Sequence, residues 1–287
     1  MNITVTGASG FIGRHLVQLL SQDGHAVRAL TRAAWNVTAG EPPAESLAGS
    51  DAVVYLAGEP VAQRWSGAAK RRIRESRVKG THHLVTAIST MDTRPEVLVC
   101  ASAIGIYGDR GDEVLTEKSQ SGTGFLAEVC REWEHEAELV ESLGVRAVMI
   151  RIGIVLGRHG GALEKMLPPF RAFLGGRLGT GHQWMSWIHV DDLVGIVRHV
   201  INRPVRGPVN CTAPNPVQND EFTRELAASL HRPAIFPVPA MGLRILLGQM
   251  SEVVLASQRV LPKAAEAAGY HFAYPELGPA LRDLGKS

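Results

Sequence analysis

From residue 1 to about residue 150, short β-branched apolar runs alternate with longer segments whose apolar positions recur at helical spacing. The short runs fall at residues 3–6, 26–30, 52–56, 97–102 and 147–150, each bounded by Gly, Pro or charged residues. Strands separated by helix-length segments are the pattern of a parallel sheet with crossover helices, so the class is α/β. One gap breaks the rhythm. Between Arg32 and Asp51 lie only 18 residues, rich in Ala, Gly and Pro, and the region is expected to be abbreviated and loopy.

Beyond Arg151 the texture changes to Gly175-Gly176, Gly179-Thr180-Gly181 and a Pro-punctuated stretch over 204–216, which predicts a second, smaller lobe. Helical patterns follow at 220–230, with Asn219 or Asp220 as N-cap, and at 242–257. No repeat or low-complexity tract is present.

A chain of 287 residues accommodates one large or two modest domains, and 45% hydrophobic against 20% charged residues is the balance of a folded protein. Thirty Lys+Arg against 28 Asp+Glu leave +2, without the basic footprint that nucleic acid requires. The run Lys70-Arg71-Arg72-Ile73-Arg74-Glu75 reads as the wet face of a helix. Cys100, Cys130 and Cys211 are too scattered for a disulfide framework or a CxxC metal site, so no metal is expected and a reducing compartment fits. The first residues already read as a strand, which predicts no signal peptide, and no apolar run reaches membrane-spanning length. These readings predict a soluble, cytoplasmic protein without a nucleic-acid or membrane partner, and they leave oligomeric state open.

The first strand runs into Gly7-Ala8-Ser9-Gly10-Phe11-Ile12-Gly13 and then into apolar positions at helical spacing. Gly7 permits the tight turn, Gly10 lets a phosphate approach the backbone, and Gly13 lets the helix pack close to the strand. The helix start, with Ser9, Phe11 and Ile12 around it, offers free N–H groups to a pyrophosphate. The second strand ends Ala29-Leu30-Thr31-Arg32, without the carboxylate that a ribose 2′-hydroxyl needs. Arg32, with Thr31 or Arg14, suits a 2′-phosphate, so NADP(H) is favoured over NAD(H).

The glycine spacing, Leu56-Ala57-Gly58, Ser102 ahead of Tyr107-Gly108, and Trp187-Ile188-His189-Val190-Asp191-Asp192-Leu193 together resemble the extended short-chain dehydrogenase/reductase superfamily. Leu56-Ala57-Gly58-Glu59, residues 104–109, 151–157 and 181–189 resemble its atypical branch, the NAD(P)-dependent epimerase/dehydratase-like family. The resemblance covers essentially the whole chain. It implies a Rossmann-type doubly wound sheet from residues 1–155 and about 186–206, with about 156–185 and 207–287 forming a small, discontinuous substrate lobe. It also implies NADP(H) held by the glycine turn, Thr31, Arg32, Leu56, Ala57, Gly58 and Ser102, and hydride exchange on a small carbonyl or alcohol.

In that superfamily a Ser or Thr orients the carbonyl, and a Tyr passes a proton with help from a Lys four residues on. Ser102 matches the first role. Phe125 and Val129 stand where the Tyr and Lys belong, and neither can carry a proton or a charge. Tyr107 is the candidate replacement, or else a packing residue. Glu59, after the third strand, reads either as a substrate contact or as a solvated loop carboxylate. Met185-Ser186 replace the Arg-Asp pair of many nucleotide-sugar enzymes, which disfavours such a substrate. Gln183, Trp184, Met185 and Trp187 then either wall an apolar pocket or fill the interlobe core. His189 reads as structural, Asp192 as a cap or anchor of a helix from Leu193, and Arg171 and Arg177 as possible contacts for an anionic substrate. The lost relay also favours an alternative, a non-catalytic NADP(H)-binding regulator or sensor.

Overall fold

The computed structural model describes residues 1–285. The first half of the chain runs β1 (Asn2–Thr6), α1 (Phe11–Gln22), β2 (Ala26–Leu30), α2 (Ala44–Leu47), β3 (Ala52–Tyr55), α3 (Gly67–Ser89), β4 (Val97–Ala103), β5 (Val114–Leu115), α4 (Phe125–Glu138) and β6 (Arg146–Ile152). Then follow β7 (Ile154–Gly157), α5 (Gly161–Arg171), β8 (Trp184–Met185), β9 (Trp187–His189), α6 (Val190–Ile201) and β10 (Gly207–Cys211). The chain closes with β11 (Val217–Gln218), α7 (Asn219–Ser229), α8 (Ala240–Leu247), α9 (Ser251–Leu255), β12 (Arg259–Val260), α10 (Lys263–Ala267) and α11 (Leu277–Gly285).

Six strands form one parallel sheet in the order β10-β6-β4-β3-β1-β2. Its interior strands are buried on both faces, with Val53, Val54, Val99, Val148 and Ile150 shielded by α1, α3, α4 and α6. This is why the sequence shows them as unbroken apolar runs. The order reverses between β1 and β3, which opens a crevice at the carboxyl ends of these strands. The short segment after β2 holds only the one-turn α2. Trp35 fills the space a full helix would take, buried with its indole N–H on the Gly40 carbonyl at 2.8 Å and its ring 6.0 Å from that of Tyr55.

Two boundaries differ from expectation. Residues 207–211, read from sequence as small-lobe, are the sixth strand of the main sheet, with Val209, Asn210 and Cys211 buried beside β6. Residues 259–272 also return to the large domain: β12 pairs with β5, Ala265 joins the main core, and Tyr270 and Phe272 pack on it. The small lobe has its own core of Leu156, Leu163, Phe170, Met185, Trp187, Phe222, Leu226 and Leu281.

Several local expectations are also corrected. The helix expected over 242–257 breaks at Gly248, whose φ of 59° is left-handed. Neither Asn219 nor Asp220 is the N-cap of α7; Gln218 holds that position, and the Asn219 side chain accepts from the Leu178 N–H at 2.7 Å. The N-cap of α6 is His189, whose Nδ1 accepts from the Asp191 N–H at 3.2 Å. Asp192 lies inside that helix as an anchor, accepting from the Tyr270 hydroxyl and the N–H groups of Ala273 and Tyr274.

Candidate functional site

The turn between β1 and α1 is built by steric necessity. Gly7 has a φ of 66°, and a Cβ there would stand 2.9 Å from the backbone of Leu56 and Ala57. A Cβ on Gly13 would lie 2.3 Å from the Gly7 carbonyl oxygen. The Thr6 hydroxyl accepts from the N–H groups of Leu56 and Ala57 at 3.2 and 3.3 Å, joining the ends of β1 and β3. Gly10 begins α1 with no side-chain cap and no acidic residue in the first turn. The first N–H groups of α1 have no intrahelical partner, and no carboxylate of its own first turn competes for them. Such a cradle fits a dinucleotide pyrophosphate: it is free of side chains, lined by N–H groups and at the positive end of a helix.

The cradle opens into a cleft of about 270 Å³ lined by Gly7, Ser9, Gly10, Thr31, Arg32, Leu56, Ala57, Gly58 and Glu59. Arg32 is exposed at the cleft and makes no hydrogen bond or ion pair among the described residues. Arg14 instead braces the turn, donating to the Ser9 carbonyl at 3.1 Å. Glu59 accepts from Gln63 and from Arg72, each at 3.2 Å. The Gln63 hydrogen bond, with the hydrogen bond and charge of Arg72 and the charge of Arg32, holds its carboxyl below the usual range against the opposing effect of burial. Glu59 and Arg32 line the same cleft. Sequence reasoning missed Trp35, Asn36, Thr38, Arg72, Glu75 and Ser76, which also line it. The lone Trp35 in a Gly/Pro/Ala-rich stretch was the available signal.

Phe11 has a further role. Its ring is seated where Gly157 and Gly160 lack side chains, since a Cβ at either would stand 2.3 or 2.1 Å from it. The first residue of α1 is thereby locked to the turn between β7 and α5.

Ser102 and Tyr107 are brought together, but inside the protein. Strand register sets Ser102, Arg151 and Asn210 side by side across β4, β6 and β10. Glu134 of α4 meets that row: Oε1 accepts from Ser102 Oγ at 2.6 Å and Arg151 Nε at 2.9 Å, and Oε2 accepts from Arg151 Nη2 at 2.8 Å. The Tyr107 hydroxyl donates to Asn210 Oδ1 at 2.7 Å and accepts from Arg151 Nη1 at 2.9 Å. Both hydroxyls are buried and neither lines the cleft. Burial raises the Tyr107 phenol pKa, and Arg151 only partly counters it. Burial also acts to lower that of the Arg151 guanidinium, but the hydrogen bonds and charge of Glu134 outweigh it, and the guanidinium stays firmly protonated. The geometry gives the candidate catalytic pair to an ion-pair network that ties three strands to a helix.

At the relay positions, Phe125 is half-buried against Trp65, ring centroids 5.2 Å apart, and Val129 is buried. In the small lobe, Trp187 is wholly buried with its N–H on the Asn215 carbonyl, and Gln183 is buried on the Leu178 carbonyl. Both fill the lobe's interior, so the apolar-wall reading is corrected for them. Trp184 is half-buried, bonded to Asp112 at 2.7 Å beneath the Arg259 guanidinium. Arg171 and Arg177 are exposed. Among the described residues no cluster suits a metal ion, and no helix is long and apolar enough to cross a membrane.

An open parallel sheet, a glycine turn into α1 and a cleft at the switch point define a dinucleotide-binding α/β protein of the Rossmann type. The model of the NAD dependent epimerase/dehydratase family matches residues 3–212, a span that includes β10. A domain of unknown function, DUF1731, matches residues 238–284. The chain belongs to the NAD-dependent epimerase/dehydratase family. It is 46% identical to the chloroplastic epimerase family protein SDR39U1 homolog of Arabidopsis thaliana, over 99% of this chain and 86% of that protein. It is 38% identical to the epimerase family protein YfhF of Bacillus subtilis, over 99% of this chain and 98% of that one. The crystal structure of human epimerase family protein SDR39U1 (isoform 2) with NADPH superposes with a TM-score of 0.91 at 34% identity, covering 99% of both chains.

Proposed function

We propose that this protein binds NADP(H) and exchanges hydride with a small carbonyl or alcohol compound. The observation that carries the reading is Arg32, a guanidinium without a hydrogen bond or ion pair among the described residues, lining the cleft at the tip of β2 where a carboxylate would select NAD. The human relative determined with NADPH supports the same choice. Residues 7–13 would hold the pyrophosphate, Thr31 and Arg32 the 2′-phosphate, and residues 56–58 the cleft floor. When bound, the nicotinamide supplies or accepts the hydride. The chain's own part is to orient the dinucleotide and shape the substrate site. Phe125 and Val129 can move no proton, and Tyr107 is committed to Asn210 and Arg151. The same observations favour a second reading, a cofactor-binding regulator without turnover.

Calorimetric titration with NADPH and NADH tests the proposal. NADPH is expected to bind more tightly, and Arg32→Ala to weaken NADPH about tenfold or more while changing NADH little. Equal affinities, or indifference of NADPH to Arg32→Ala, would overturn it. Turnover of NADPH with a panel of small carbonyl compounds separates the enzyme from the regulator.

A further inference from the structure

Crossover helices run antiparallel to the strands they connect, so α3 and α4 both begin at the carboxyl edge of the sheet, where the cleft lies. The segment leaving β3 lines the cleft from Leu56 to Glu59 and then reaches Trp65 and the N-cap Ser66. There Lys70, in the first full turn of α3, extends its ammonium 5.7 Å from the Trp65 ring centre and 5.0 Å from that of Phe125. Lys165 of α5 donates to the Ala62 carbonyl at 3.0 Å, so the small lobe meets this segment beside the cluster.

Lys70 is oddly placed for stability. A cation near a helix start opposes the helix dipole, and α3 has no acidic residue in its first turn to offset it. Its half-buried or paired neighbours all reach oxygen: Arg72 bonds Glu59, Arg74 bonds Glu132, and Arg77 bonds the carbonyls of Glu59 and Ile73. Lys70 is half-buried and has no oxygen acceptor among the described residues, only two aromatic rings. An ammonium held by ring faces still lacks an anion, and one such charge among apolar rings matches a singly charged group carrying an apolar body.

We propose that Lys70, Trp65 and Phe125 form a binding site for the carboxylate end of a small apolar organic acid, the substrate class of this protein. The inference rests on the dinucleotide reading, because α3 and α4, which carry Lys70 and Phe125, begin at the same carboxyl edge of the sheet as the cleft. Phe125 is then a wall of the substrate site and Lys70 its anion anchor.

Calorimetry of benzoate and phenylpyruvate, with and without saturating NADPH, tests this. Saturable binding is expected in wild type, weakened roughly tenfold or more in Lys70→Met and largely kept in Lys70→Arg. Benzamide, the neutral counterpart of benzoate, is expected to bind far more weakly than benzoate. NADPH affinity is expected to be unchanged in Lys70→Met. The proposal is overturned by absence of saturable binding of both acids, by equal binding of benzamide and benzoate, or by Lys70→Met binding the acids as wild type does. A Lys70→Met variant that loses NADPH but not acid affinity would assign the lysine to the cofactor instead. The benzamide comparison stands even where that variant does not fold. Acid binding that persists in a protein failing to bind NADPH would leave the anion site and remove the dinucleotide reading.

Discussion

Replacing Glu134 by Gln removes one charge from the centre of the network while preserving its shape. In wild type the Glu134 and Arg151 side chains are only 8% and 9% exposed, and the carboxylate takes both arms of the guanidinium as well as the Ser102 hydroxyl. Glu134→Gln leaves the guanidinium buried without a counter-charge, and Arg151 cannot shed its proton to escape that state. Breaking one side of a buried pair costs about 3–5 kcal/mol, against about 1 kcal/mol or less for an exposed pair. With total stability of about 5–15 kcal/mol for a typical domain, this is more than half of the smaller value and about a fifth to a third of the larger. Equilibrium urea unfolding, followed by the fluorescence of neighbouring buried Trp133, measures it. The double replacement Glu134→Leu/Arg151→Met should be less destabilising than the sum of Glu134→Leu and Arg151→Met by about 2–3 kcal/mol. A Glu134→Gln protein within about 1 kcal/mol of wild type would refute the reasoning, because the pair would then behave as a solvated one.

Gly13→Ala drives a Cβ to 2.3 Å from the Gly7 oxygen, a backbone atom that cannot swing aside. It should cost about 1–3 kcal/mol and weaken NADPH at least tenfold by calorimetry; unchanged affinity would discount the cradle. Tyr107→Phe strands Asn210 Oδ1 and leaves Arg151 Nη1 only the longer bond to the Glu117 carbonyl, so stability should fall by about 1–3 kcal/mol while NADPH affinity holds. Loss of NADPH binding in a folded Tyr107→Phe protein would contradict a purely structural role. Burial lowers the His189 imidazole pKa, aided by Arg158 and opposed by Asp191, Asp192 and Asp283. The fold therefore favours the neutral ring, and its stabilising effect is complete above the ordinary value near 6.5 and lost as pH falls below it. Thermal midpoints should drop more for wild type than for His189→Asn between about pH 7.5 and about pH 5.5, and parallel decreases would count against this assignment.

The glycine turn between β1 and α1 was legible because its residues are consecutive. A strand, three glycines and a helix start state their geometry within a dozen positions, and the Arg at the tip of β2 follows from the same local reading. Glu59 was read as a substrate contact or a loop carboxylate after β3, and it lines the cleft. The rest of the cleft depended on a segment without periodicity, where Trp35 folds inward to stand in for a missing helix.

By itself the sequence determined the α/β class, the first five strands of the sheet and the glycine turn into α1, since apolar period and glycine stereochemistry act over a few neighbouring residues. Tertiary structure alone decided what the polar residues do. Tyr107 meets Asn210 across 103 positions, and Ser102 meets Glu134 across 32, because strand register and one crossover helix superimpose them. The sixth strand was hidden for the same reason: a short run such as Gly207–Cys211 becomes part of the sheet only when α6 delivers it beside β6. Lys70 looked like one more solvated cation in a basic helix, and only the meeting of α3 with α4 adds the Phe125 ring to that of nearby Trp65. Pairings between distant residues depend on which elements become neighbours, and no local pattern carries that information.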